Sequence, residues 1–255
     1  MHIVAICCTY NRDKCLQRIL RSFLEQTYEG KKTLLVFNSG KETSLAGFEN
    51  TENTNIILVN QTKGLLSNAD YQSVGEKYND ALSYIEQFAP DCEVVTSYDA
   101  DDIFLPNHIE EGYKGYKKAL EANKKAYKPK YSYFRNTLGV FKAENVFEPS
   151  IFVSYAHMKE FGYAEQSVTY HDKWLHPLVE KDEILVDKYG ESTFIYDWSG
   201  EIPVYKMSGQ KESKQNFLLS QKSEKDTGNG TTVPISKEKY LTYCKLIKKI
   251  QPIVN

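Results

Sequence analysis

The sequence has few cysteines, no long apolar run and no excess of charge of one sign. Its five cysteines include adjacent Cys7 and Cys8 but no C-x-x-C pair, which disfavours a zinc site or disulfide framework and favours a reducing, cytoplasmic setting. No stretch approaches the roughly 20 apolar residues of a membrane span, and the amino terminus has no basic signal-peptide region, so we expect neither a transmembrane segment nor a signal peptide. The formal net charge of −2 excludes a uniformly basic nucleic-acid binder.

What is present fits a folded α/β domain. The 255 residues are 41% apolar and 26% charged, which is enough to bury a core without disulfides. Apolar runs typical of buried strands alternate with helical spacing over the first 100 residues. The predicted strands are 3–8, 33–37, 56–59 and 93–98. Helices are expected at 15–24 and after Ser73, where Ser73 and Glu76 form an S-x-x-E capping box. This alternation predicts a mostly parallel sheet flanked by helices.

The second half is less regular. Residues 107–126 are expected to be helical and 131–155 to supply strands. Residues 209–233 are polar and punctuated by glycine, which predicts a mobile loop before a last helix over about 236–250.

Three polar clusters follow predicted strands, at residues 9–12, 38–40 and 99–102. Ligands of parallel sheets sit beyond the carboxyl ends of the strands, so we expect these clusters to converge on one site. Asp99, Asp101 and Asp102 would repel one another without a cation. Carboxylate oxygens suit Mg²⁺ or Mn²⁺, with substrate phosphates completing the shell. The alternative is a ligand-free turn, because aspartate is common in turns.

Four segments resemble, in order, the family-2 glycosyltransferases of the GT-A fold. They are residues 4–28, 34–40, 75–82 and 98–106, the last carrying D-x-D-D, and residues 152–175 are similar more loosely. The resemblance implies a single GT-A, Rossmann-like α/β domain. Its implied activity is transfer of a hexosyl or pentosyl group, with inversion, from a nucleotide-diphosphate sugar to an acceptor hydroxyl.

The resemblance also implies roles for particular residues. Asp101 would bind Mn²⁺ or Mg²⁺, and Asp172 would be the catalytic base, with His171 in place of the family's Glu. The expected donor is a UDP-sugar. The residues that would bind it are Thr9, Tyr10, Arg12, Asn38, Lys77, Asn79, Asp99 and Lys206. Asn38 replaces the family's Asp, Lys77 its Arg and Lys206 its His. A charged lysine cannot bind a metal, although it can neutralise a diphosphate.

These roles suggest a division of the single domain. Residues 1–106 would bind the nucleotide sugar, 107–208 would bind the acceptor and carry out catalysis, and 209–255 would form the mobile loop and last helix.

The acceptor is predicted less directly. Residues 114–130 carry seven lysines against one glutamate, a net charge of +6, whereas residues 180–201 carry seven acids against two lysines. The Lys114–Lys130 run fits a solvated helix face, or a surface for nucleic acid, anionic lipid or a phosphate-bearing glycan. We expect a glycan acceptor, with a hydroxymethylated DNA base as the alternative.

Two other functions compete with sugar transfer. A haloacid-dehalogenase-type phosphatase also uses D-x-D, but at its first strand, whereas here the cluster follows the fourth and precedes Ile103. The second competing function is that of a non-catalytic nucleotide-sugar-binding module. The retained Asp99, Asp101 and Asp172 argue against it.

Overall fold

A computed structural model describes residues 1–45, 49–66, 68–71, 73–136, 139–144, 148–165, 172–191, 193–197 and 233–234. The helices in this part are α1 (Asp13–Leu24), α2 (Val74–Phe88), α3 (His108–Glu121), α4 (Tyr155–Phe161) and α5 (Asp172–Glu180), with a 3₁₀ turn at Glu148–Ser150. The strands are β1 (His2–Thr9), β2 (Lys32–Asn38), β3 (Thr54–Asn60), β4 (Cys92–Ser97), β5 (Ile103–Phe104), β6 (Ala126–Pro129), β7 (Tyr131–Asn136), β8 (Gly139–Glu144), β9 (Phe152–Ser154), β10 (Ile184–Asp187), β11 (Phe194–Asp197) and β12 (Val233–Pro234).

A seven-stranded central sheet runs in the order β10-β6-β9-β4-β1-β2-β3. Strands β3, β2, β1 and β4 are parallel neighbours, and β6 and β10 form another parallel pair. Only β9 runs antiparallel to its two neighbours in this sheet, β4 and β6. Two apolar clusters cover the sheet, one on each face. The predicted α/β fold, a GT-A Rossmann-like domain with a mostly parallel sheet, is therefore confirmed.

The strand and helix starts follow from local sequence. Residues Ile3–Cys7 are fully buried, which explains why β1 is apolar without alternation: helices cover both sides of it. Ser73 caps α2, because its Oγ accepts a hydrogen bond from the Glu76 backbone N–H at 3.0 Å. The Ser73 bond of the predicted capping box is therefore present at the start of α2.

The helix predicted over 107–126 is shorter than expected. It ends at Glu121 because Asn123 adopts a left-handed φ of 55°, and the Lys124 N–H turns back to the Ala119 carbonyl at 2.8 Å. The chain then enters β6, which pairs with both β9 and β10.

A second sheet has the order β12-β8-β7-β11-β5. The strands expected within 131–155 supply β7, β8 and β9. Strand β5 directly follows the acidic cluster and pairs antiparallel with β11, some ninety residues later. Apart from the two residues of β12, the loop and helix expected beyond residue 208 lie outside the described residues.

Cys7, Cys8, Cys15 and Cys92 are free thiols. In the described part of the chain, no helix has the length and apolar character that crossing a membrane requires.

Candidate functional site

The three predicted clusters meet at the carboxyl edge of β1, β2 and β4. Strand pairing places Thr9 beside Asn38, and the Ser39 N–H donates to the Thr9 carbonyl at 3.0 Å. The first and third clusters are joined by an ion pair, with 3.3 Å between Arg12 Nη1 and Asp101 Oδ2. The expected convergence is therefore present in the described residues.

Each carboxylate of the acidic cluster has a different partner. Asp99 Oδ1 accepts a hydrogen bond from the Tyr78 hydroxyl at 2.8 Å, while Asp101 faces Arg12. Asp102 is 1% exposed and accepts from the Asp197 backbone N–H at 3.1 Å. Asp102 is thus turned toward the second sheet, which leaves Asp99 and Asp101 on the side of the other clusters.

The negative potential of the cluster reaches the end of β1. Burial raises the pKa of the Cys7 thiol, and the nearby charges of Asp99 and Asp101 raise that pKa further. Cys7 is therefore an inert core residue, as its apolar surroundings predict.

Two cations lie at the rim. Lys77 Nζ is 5.2 Å from the centre of the Tyr10 ring and 6.0 Å from that of Tyr71. Burial is the main cause that lowers the pKa of Lys77, and the charge of Arg12 acts in the same direction. Two neighbouring cations, one of them over the 57%-exposed ring of Tyr10, suit a polyanionic ligand with a planar group.

Asn38 shapes the loop that follows β2. Its side-chain N–H₂ donates to the Lys41 carbonyl and to Asn60 Oδ1, both at 2.7 Å. Its Oδ1 accepts from the Gly40 N–H at 3.1 Å. These bonds give the amide a scaffolding role, and its predicted contact with the donor stays a prediction.

Asn79 joins α2 to the segment after α4. Its N–H₂ donates to the Tyr163 carbonyl at 3.0 Å and to Glu165 Oε1 at 3.1 Å, and its Oδ1 accepts from the Tyr163 N–H at 2.7 Å. Gly162 has a φ of 63°, and a Cβ there would lie 2.8 Å from Asn79 Oδ1. The side chain that we predicted to bind the donor therefore holds this turn, and its contact with the donor stays a prediction.

The predicted base lies at the start of a helix. Asp172 is the first residue of α5, and Trp174 is buried against a small cavity that Ser97, the last residue of β4, also lines. The first turn of α5 is thus near the carboxyl end of β4. The Asp172 side chain and all of Lys206 lie outside the described part of the structure.

The residues present fit a metal ion only in an open arrangement. Among the described residues, no group of three His, Cys, Asp or Glu side chains could hold an ion. Magnesium commonly takes one or two carboxylates and completes its shell with phosphate and water oxygens. The Asp101 carboxylate suits that mode, in which the substrate supplies most of the ligands.

The lysine-rich run is balanced in space by acids. Four of its lysines form ion pairs with acids of the first turn of α3 and of the segment 182–187. The pairs are Lys114 with Glu110 and Glu111, Lys118 with Asp187, Lys124 with Asp182, and Lys125 with Glu183. The separation of charge along the sequence therefore largely disappears in the fold.

Two residues at the site were missed by the sequence interpretation. Tyr78, which binds Asp99, lies inside the segment 75–82 but looked like an ordinary core residue. Arg18 is 4% exposed and contacts the acidic cluster from α1. The signal for Arg18 was its position beside the apolar residues Cys15 and Ile19 on one helix face, where a charge needs a partner.

Comparison with known proteins supports the fold. No protein-family model and no curated protein sequence matches this chain. Structures of S. aureus TarS are similar: residues 1–349 with UDP give a TM-score of 0.56 at 16% identity, covering 79% of this chain and 62% of that one. The complex with UDP-GlcNAc gives 0.54 at 18% identity, covering 79% and 60%. The chain thus spans about three fifths of those structures, and the likeness supports a glycosyltransferase fold.

Proposed function

We propose that this chain binds a nucleotide-diphosphate sugar at the carboxyl edge of β1, β2 and β4 and transfers the sugar to an acceptor hydroxyl. The observation that carries the proposal is the convergence of the three polar clusters, of which the first and third are joined by the ion pair between Arg12 and Asp101. It occurs in a fold shared with structures that hold UDP and UDP-GlcNAc. A UDP-sugar is therefore the proposed donor.

The donor would lie across the rim residues. Arg12 and Lys77 offer two neighbouring cations to the diphosphate, and the exposed Tyr10 ring offers an apolar face beside them. Asp99, oriented by Tyr78, is suited to accept hydrogen bonds from ribose hydroxyls. Thr9 is buried at the end of β1, and Lys206 is proposed as a further cation near the diphosphate.

We propose that Asp101 holds Mn²⁺ or Mg²⁺ when the donor is bound. The ion would neutralise charge on the departing diphosphate. In the structure, Arg12 balances the charge of the Asp101 carboxylate. Burial and the nearby charge of Arg12 both lower the pKa of Lys77, and Arg12 is the second cation at the proposed diphosphate position.

The proposed reaction is an in-line displacement with inversion. Asp172 takes the proton of the acceptor hydroxyl as its oxygen forms a bond to the anomeric carbon, while the bond from that carbon to the diphosphate oxygen breaks. The nucleoside diphosphate leaves with the electron pair of that bond. The support for Asp172 is its place at the start of α5, whose first turn lies near the end of β4.

The proposed acceptor is a glycan hydroxyl. The observation against DNA as the acceptor is the pairing of Lys114, Lys118, Lys124 and Lys125 with acids, which leaves little net charge for a phosphate backbone on that face. The acidic cluster follows the fourth strand of the chain, which also disfavours the phosphatase alternative.

The test combines donor binding with a matched pair of variants. In the first experiment, wild-type protein is titrated calorimetrically with UDP and UDP-GlcNAc in Mn²⁺ and in EDTA. In the second, the slow release of sugar to water is followed by NMR with a panel of UDP-sugars. Asp101→Asn should lower the rate of sugar release at least about 10³-fold, because it removes the metal ligand. The protein should stay folded, because Asp101 lies in a turn at the rim of the site.

Asp182→Asn is the control. Asp182 is an exposed aspartate with a φ of 53°, a conformation that asparagine tolerates, and it lies near the carboxyl end of α5. It should keep wild-type binding and rate. Absence of UDP binding by the wild type would overturn the proposed donor, and an unchanged rate in Asp101→Asn would overturn the metal assignment.

A further inference from the structure

A buried arginine supports the acidic cluster from beneath. Arg18 lies in the middle of α1 and is 4% exposed. Its Nη2 donates to two backbone carbonyls, those of Ala100 and Asp102, at 3.1 Å each. Ala100 and Asp102 are the residues on either side of Asp101, so one guanidinium nitrogen holds the turn both before and after Asp101.

The same guanidinium is connected to the second sheet. Arg18 Nη1 is 3.8 Å from Asp197 Oδ2, and Arg135 Nη1 of β7 is 3.6 Å from that same oxygen. The Asp197 backbone N–H donates to Asp102 Oδ1 at 3.1 Å. The turn is thus held at its carbonyls by Arg18 and at the Asp102 side chain by β11.

We infer that Arg18 is a positioning residue of the site, which fixes the direction of the Asp101 carboxylate by holding the carbonyls of residues 100 and 102. This inference rests on the proposed function, because it gives Asp101 the task of meeting the diphosphate and its ion. Arg18 is buried, so in this role it acts through the turn and not by contact with the ligand. A planar fork with several fixed donors suits this role, whereas a lysine ammonium is a single point charge on a flexible stem.

The chain supplies a matched control on the same helix. Arg21 is in the last turn of α1 and is exposed. Arg18→Lys and Arg21→Lys make the same chemical change in the same element, one beneath the acidic turn and one in solvent. Any difference between the two variants therefore reports the position of Arg18.

Hydrogen exchange of the ligand-free protein gives the direct readout. The amides of residues 98–104 should exchange about tenfold faster in Arg18→Lys than in wild type, as expected when one charged hydrogen bond is lost from a local opening equilibrium. Arg21→Lys should match wild type. Equal exchange in the two variants would overturn the inference, whatever the protein binds.

A second readout connects the turn to the ligand. The Mn²⁺ concentration needed for half-maximal UDP binding should rise about tenfold in Arg18→Lys, while metal-free UDP binding should stay within about twofold. A loss of UDP binding that is equal with and without Mn²⁺ would indicate general damage and would overturn the positioning role. Absence of UDP binding by wild type would count against the proposed function alone, and the exchange result would still decide the role of Arg18.

Asp197→Asn covers the case in which Arg18→Lys fails to fold. It removes the carboxylate charge facing Arg18 but leaves the Asp197 backbone N–H that binds Asp102. Exchange over 98–104 should then rise by about threefold, because Arg18 loses one of its anchors. Exchange unchanged from wild type would overturn the inference.

Discussion

The carboxyl edge of β1, β2 and β4 and the outer face of α3 both collect opposite charges, but at different depths and with different residues. At the edge, Arg18 is buried and binds several fixed acceptors. On α3, the side chains of Lys114 and Lys118 are 52% and 61% exposed, and each forms its ion pair at the protein surface. A rigid, buried guanidinium fixes the geometry of the groups that it binds, whereas a solvated lysine ion pair adds little to stability.

The comparison separates two kinds of consequence. Charges at the edge are expected to matter for activity, and the buried end of α3 for stability. The lysines on the outer face of α3 are expected to matter little for either. The three predictions that follow test these expectations.

Among these three, the largest effect is expected at the proposed base. Asp172→Asn should lower the rate of sugar transfer or release by about 10²-fold or more, because the amide cannot accept the proton. UDP affinity should stay within about twofold, since the donor contacts are elsewhere. Glu180→Gln, at the other end of α5, is the control and should behave as wild type. A rate that is preserved in Asp172→Asn would move the base to another carboxylate.

An intermediate effect is expected where α3 enters the core. His108 is 1% exposed, its Nδ1 contacts Thr193 Oγ1 at 2.9 Å, and burial lowers its pKa to about 3. The unfolded chain therefore binds a proton at higher pH than the native state does. The stability that a neutral His108 contributes is complete above about pH 6.5 and is lost as the pH falls toward 3.

The measurement is urea unfolding at pH 7, 6, 5 and 4. Below pH 6, the free energy of unfolding of wild type should fall by about 1.4 kcal/mol per pH unit more than that of His108→Gln. His176→Gln changes an exposed histidine of α5 and should follow the wild-type slope. Parallel curves for wild type and His108→Gln would contradict the prediction.

The smallest effect is expected on the outer face of α3. Lys118→Met removes the ion pair with Asp187, whose N···O distance is 3.2 Å, and should change the free energy of unfolding by less than about 1 kcal/mol. UDP affinity should be unchanged. If urea unfolding at pH 7 showed that Lys118→Met lowers the free energy of unfolding by more than about 2 kcal/mol, this ion pair would contribute more than an ordinary surface pair does.

The sequence predicted the first half of the fold well because its signals there are local. The apolar runs of β1 and β2, the spacing of α1 and the Ser73 cap are each set within a few residues. The convergence of the polar clusters followed from a general rule for parallel sheets. Strand β6 was missed because the left-handed turn at Asn123 leaves no clear sequence signal.

The parts that were not predicted depend on distant pairings. The net charge of +6 over 114–130 fitted either a solvated helix face or a surface for a polyanion. The run alone did not show that β10 pairs with β6 and brings Glu183 and Asp187 beside those lysines. The hydrogen bonds of the Asn79 amide to residues 84 and 86 positions away were likewise not predicted. Such contacts follow from the packed fold and not from local spacing.

The pairing of β5 with β11 also determines when the site can be completed as the chain is synthesised. During synthesis, β1, β2, β3 and β4 emerge first and can pair as a parallel unit, but β4 keeps an open edge until β9 is available. The acidic turn is completed later still, because the pair of Arg18 with Asp197 and the bond of Asp102 to the Asp197 N–H both require residue 197. A nascent chain that stops before residue 197 is therefore expected to contain most of the sheet and an unfinished site.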